Sequence, residues 1–110
     1  MKNIVNLDIL HEMTDRDPEM EHRLFKSFLS SSVKCITSLQ ASWHEGMENT
    51  WRQQAHAFKG LCLNMGAERL SQLCEKAQDN CTAPPEQKRK LLVAIQNEFE
   101  NVRQYLEKLN

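Results

Sequence analysis

Apolar residues recur along this chain at steps of three and four, the spacing that lines one face of a helix. Leu24, Phe25, Phe28, Leu29, Val33, Ile36 and Leu39 form the first such run. Just ahead of it, Asp17 can cap a helix, Pro18 suits a first turn, and Glu19 and Glu21 favour the positive end of a helix dipole. Glu45-Gly46 predicts the turn that ends this long helix. A second helix is predicted from about Met47 to about Asn64, with Trp51, Ala55, Phe58, Leu61, Cys62 and Met65 on one side, and Gly66 interrupts the pattern. A shorter third helix places Ala67, Leu70, Leu73, Cys74 and Ala77 together. "DNCTAPPEQ" reads as a loop, because Pro84 and Pro85 cannot continue a helix but can begin one. The last helix carries Leu91, Leu92, Ile95, Phe99, Val102, Leu106 and Leu109. Before all of these, "NLDILHEM" could form a short leading helix. With no alternating run to suggest a strand, the pattern predicts an all-α, antiparallel four-helix bundle with that short leading helix.

Length and composition narrow this further. A chain of 110 residues fits one domain, spanning 1–110, with no room for two. Hydrophobic residues at 40% and charged ones at 26% are a globular balance, and a net charge of −1 excludes a general basic attraction to nucleic acid or anionic membrane. No apolar run approaches the roughly 18–20 residues of a membrane span, and "MKNIVNLDIL" lacks the apolar segment of a signal peptide, so a cytoplasmic location is expected. Opening on Met1 and stopping just past the last helix, the chain reads as a free-standing, monomeric unit. Cys35, Cys62, Cys74 and Cys81 form no CxxC pair, and Glu-x-x-His does not occur twice. Neither a zinc site nor a di-metal carboxylate centre is expected, and no cofactor is implied. Cys62 and Cys74 fall at apolar positions and read as structural thiols; Cys81, in a polar stretch, reads as exposed.

One residue breaks the bland pattern. At about 100° per residue, His56 lies about 160° from the centre of the second helix's apolar face. Arg52, Lys59 and Leu63 share its side. Gly60 stands one turn further along, although a glycine inside a helix costs about 1 kcal/mol relative to alanine. An exposed neutral imidazole is a good nucleophile near neutral pH. A lysine ammonium one turn away can offset an acquired anion. At about 4 Å and an effective dielectric near 20, such a pair is worth about 4 kcal/mol before desolvation and screening, and much less on an open surface. The missing side chain at Gly60 clears room for another macromolecule. His11, His22 and His44 have no comparable setting.

The stretch "AHAFKGLCLNMGAERLSQLCEKAQ", Ala55 to Gln78, resembles the signature of histidine-containing phosphotransfer (HPt) domains. The matching elements are Ala55-His56, Lys59-Gly60, Gly66-Ala67, and Leu70, Leu73 and Cys74-Glu75. The resemblance implies a helical bundle that carries a phosphoryl group between the aspartates of response-regulator receiver domains, with a hybrid sensor kinase as a further partner. It implies His56 as phosphoacceptor, Lys59 and Gln78 as residues attending the phosphoryl group, and Gly60 as the small residue that admits the receiver; Arg52 and Leu63, on the same side of the helix, are expected to complete the receiver-docking face. Ala57 and Phe58 stand where the family often has Thr or Ser and then Leu; the first removes a hydroxyl contact and the second keeps a core anchor. Such a domain is a stoichiometric carrier, not an enzyme. Two other classes compete. A pure interaction module could use the same face to dock an acidic partner. An enzyme with His56 as general base would need a second titratable partner and a phosphate loop that the chain lacks.

Overall fold

The computed structural model describes residues 4–109; residues 1–3 and 110, which bound the expected domain, lie outside the described part. Five helices follow one another: α1 Leu7–Thr14, α2 Pro18–Ser42, α3 Glu48–Met65, α4 Glu68–Asp79 and α5 Pro85–Leu109. The four after α1 form the expected all-α bundle, and α1 is the short leading helix. Among the described residues there is no strand.

Local chemistry starts and stops these helices. Asp17 accepts a hydrogen bond from the Glu19 amide at 3.0 Å, with Pro18 in the first turn of α2. Asn6 does the same for α1, accepting from the amides of Asp8 and Ile9. α3 ends at Gly66, whose φ of 75° is the left-handed conformation in which the last carbonyls of a helix are satisfied. The Ala67 amide reaches back to the Cys62 carbonyl oxygen at 2.9 Å, and the chain reverses at once into α4.

The buried positions of the three long helices follow a stricter rule than the sequence reading assumed. In α2 they are Phe25, Phe28, Ser32, Cys35, Leu39 and Ser42; in α3, Trp51, Ala55, Phe58, Cys62 and Met65; in α5, Lys88, Leu92, Ile95, Phe99, Val102 and Leu106, with Glu98 beside them. Each runs in alternating steps of three and four, a seam like that of a coiled coil. The seam corrects the expected core. Val33 is 53% exposed because Ser32, one residue earlier, takes the buried place between Phe28 and Cys35. Leu109, in the last turn, is also exposed. Leu24, Leu29, Ile36 and Leu61 pack at the margin. At the centre, Phe99 lies 6.1 Å from Phe28 and 6.2 Å from Phe58, joining α5 to α2 and α3.

Two further differences concern helix ends. α2 stops at Ser42, three residues short of Glu45-Gly46. Cys81 is half-buried rather than exposed, and packs against the core. Its carbonyl accepts a hydrogen bond at 3.3 Å from the Nζ of Lys88, which is buried at a seam position and lies 5.8 Å from the Trp51 ring centroid. The ammonium thereby gains a carbonyl and an aromatic face in place of water.

The leading helix is clamped to the α3–α4 turn. The Asn6 amide donates to the Gly66 carbonyl at 2.7 Å, and the Asn6 side-chain amide donates to Glu68 Oε1 at 3.0 Å. A Cβ at Gly66 would stand 2.5 Å from the Asn6 carbonyl oxygen, so close approach and left-handed backbone both call for glycine there. Val5 and Leu10 close the core at this end.

Candidate functional site

The α3–α4 hairpin turns so tightly that its register can be read from the chain. Ala67 is the pivot. His56 lies eleven residues before it and Gln78 eleven after; Lys59 lies eight before and Glu75 eight after. Antiparallel helices joined at a short turn bring such equidistant residues to the same level, and the spacing of three along each helix keeps His56 with Lys59, and Glu75 with Gln78, on one face. The Trp51 indole N–H ties the two helices together from within, donating to the Ala77 carbonyl at 2.8 Å. That bond anchors the turn of α4 that carries Gln78.

The side chains meet accordingly. His56 is exposed, with its Nδ1 3.4 Å from Gln78 Oε1. Since an amide oxygen only accepts, this contact is a hydrogen bond in the tautomer that carries its proton on Nδ1. The Nε2 lone pair then has no partner among the described residues. Lys59 Nζ lies 3.6 Å from Glu75 Oε1, with the lysine side chain 28% exposed and the carboxylate 54%. An ion pair this open contributes about 0.2–1 kcal/mol. Gly60 is exposed, and a Cβ built on it would meet nothing within 4 Å. No other helix needs that gap. Leu63, 49% exposed, continues the same face one turn further on.

Arg52 is on the expected side of α3 and exposed, but its guanidinium donates to Asn49 Oδ1 at 3.3 Å, toward the start of the helix and away from His56. The structure therefore brings His56, Lys59 and Gln78 together and leaves Arg52 at the periphery. Two contacts escaped the sequence reading. The pairing of Lys59 with Glu75 follows from counting outward from the turn; the Trp51–Ala77 bond does not, since these lie sixteen residues before and ten after Ala67 and meet through the long indole side chain. On the opposite side of α3, Cys62 lies against Cys74. Burial, and then the neighbouring thiol, push the Cys62 thiol far above its ordinary range; burial likewise raises Cys35. These thiols stay protonated and are packing groups rather than nucleophiles.

The site is thus an imidazole on an open helix face of a helical bundle, with a glutamine of the next helix 3.4 Å away and a lysine one turn along. In comparison with known proteins, the family profile described as Hpt domain matches residues 23–109. The chain belongs to the Hpt domain family, whose members are phosphocarriers in phosphorelays, working with receiver domains and kinases. Its fold is similar to that of the crystal structure of histidine-containing phosphotransfer protein B (HptB) from Pseudomonas aeruginosa PAO1. The TM-score is 0.87 at 24% identity, over 98% of this chain and 95% of that one. No curated protein matches the chain. No helix among the described residues is long and apolar enough to cross a membrane.

Proposed function

We propose that His56 is the phosphoacceptor of this histidine phosphotransfer protein, taking and giving a phosphoryl group at Nε2. One observation supports the proposal: His56 is exposed with Nδ1 3.4 Å from Gln78 Oε1, a contact that suits the tautomer with the proton on Nδ1 and the Nε2 lone pair free for a partner. The proposed step needs no proton to move. Nε2 attacks phosphorus as the acyl O–P bond of the receiver's aspartyl phosphate breaks, and the aspartate leaves as a carboxylate. The imidazole keeps its Nδ1 proton and becomes a cation, which the Gln78 oxygen stabilises. The reverse step returns the group to a second receiver. Such a transfer needs mainly in-line positioning and charge neutralisation. A rigid helix supplies the first and Lys59 part of the second, against about two negative charges on the bound phosphoryl group.

In this reading Gly60 and Leu63 form the ground on which a receiver lands, with Arg52 at its edge. The receiver brings the aspartate and the metal ion, so the carrier itself needs neither metal nor cofactor and is stoichiometric. The chain works as one unit over residues 1–110, as a monomer in the cytoplasm. It serves receiver domains and a hybrid sensor kinase, with no role for nucleic acid or membrane.

The test is incubation of the protein with a phosphorylated receiver domain, followed by analysis of the captured phosphate. Acid-labile, alkali-stable phosphate that tandem mass spectrometry maps to His56 is the expected result. Tight receiver binding with no phosphate on the carrier would leave an interaction module in its place.

A further inference from the structure

Lys59, the cation assigned to the phosphoryl group, is already engaged. Its ammonium lies 3.6 Å from Glu75 on α4, while its neighbour His56 is bonded to Gln78 one turn further along the same helix. Two contacts of opposite consequence thus cross one antiparallel groove at adjacent levels. The Gln78 contact supports the imidazole in its cationic, phosphorylated form. The Glu75 contact places a carboxylate beside the group that must neutralise the phosphoryl oxygens. We propose that Glu75 is a positioning residue that sets the phosphotransfer equilibrium: it holds Lys59 toward the groove in the resting carrier and competes for it once His56 is phosphorylated. The proposal rests on His56 being the acceptor.

The physical argument is a competition for one ammonium. Lys59 has three N–H donors and can reach more than one acceptor, but its single positive charge is divided between them. In the resting state the carboxylate has it alone. When the phosphoryl group arrives, about two negative charges compete with Glu75 for the same cation, and repel the carboxylate as well. The phosphorylated state therefore loses stability that a neutral residue at position 75 would leave intact. The carrier is poised to give its phosphoryl group away, which suits a relay intermediate better than a store. Because both side chains are partly exposed, the effect is modest and salt-sensitive.

The experiment is a double-mutant cycle on the intact protein, equilibrated with a phosphorylated receiver. The variants are Glu75→Gln, Lys59→Met and the two combined, and the readout is the ratio of phosphohistidine to aspartyl phosphate. With Lys59 present, E75Q is expected to shift that ratio toward the carrier by roughly two- to fivefold at low salt, with the gain shrinking as salt is raised. In the K59M background the same substitution should give a markedly smaller gain, and the melting temperature of E75Q should fall by no more than the few degrees that loss of one exposed ion pair allows. A ratio that E75Q leaves unchanged, or shifts toward the receiver, overturns the proposal. So does an equal gain with and without Lys59, since the carboxylate would then act on the phosphoryl group directly. A parent protein that takes up phosphate at His56 while E75Q shows no gain sinks this inference alone. A parent that takes up none overturns the acceptor assignment along with it.

Discussion

Helix α3 has two faces under unlike constraints. One buries Trp51, Ala55, Phe58, Cys62 and Met65 in the bundle core. The other carries Arg52, His56, Gly60 and Leu63, all exposed, and makes no demand that the fold would notice. On the core face each residue is explained by what it packs against. On the open face packing explains nothing, and Gly60 even weakens the helix. The lesson is that an unexplained choice on a solvent face points to something outside the molecule, in the proposed reading a receiver domain that lands beside His56.

Substitutions on the two faces should therefore separate stability from transfer. The largest loss of stability is expected at the core. Phe58→Ala removes a fully buried ring that packs on Phe99, and should cost about 3–5 kcal/mol in denaturant unfolding. Next comes the hairpin pivot. Gly66→Ala imposes a left-handed alanine and drives its Cβ into the Asn6 carbonyl, for a loss of about 1–3 kcal/mol. Because Asn6 clamps α1 to the turn and its carbonyl accepts from the Leu10 amide, the amides of α1 should lose hydrogen-exchange protection first. A cost at Gly66 no greater than at Gly60 would show that the clamp is not what demands glycine. The open face should respond with the opposite sign. Gly60→Ala and Gly60→Gln both have room and should stabilise the helix by up to about 1 kcal/mol. They should part in function: alanine stays low enough for a receiver to land, whereas glutamine projects beside His56 and should sharply slow transfer from a phosphorylated receiver. Full transfer with glutamine at this position would remove docking as the reason for the glycine.

The same contrast explains how much of the molecule was legible in its sequence. Helix boundaries followed from Asp17, Pro18, Gly66 and Pro85, because caps and breakers act locally. The face of His56 followed from the apolar stripe opposite it. The exact core of α2 did not: Val33 and Ser32 differ by one position, and hydrophobicity favours the wrong one. The strict three-four seam chose Ser32, and it becomes evident only when α2, α3 and α5 are seen packed together. Lys88 is a similar case. Its buried ammonium is tolerable because the carbonyl of Cys81, in the preceding loop, and the Trp51 ring, distant in sequence, converge on it. Around His56, the imidazole and Lys59 lie on one helix, and periodicity alone puts them on one side of it; the roles proposed for them come from the resemblance to HPt domains. Glu75 needed the antiparallel register, which Gly66-Ala67 encodes but which a reading of single helices overlooks.

The central claim is that His56 carries the phosphoryl group and nothing of the fold. His56→Gln tests both halves in one protein. It should take up no phosphate from a phosphorylated receiver, while its unfolding free energy stays within about 0.5 kcal/mol of the parent, as for an exposed side chain without packing duties. Phosphate uptake by the variant would contradict the acceptor assignment, and a collapse in stability would contradict the view that this face of α3 is free of the core.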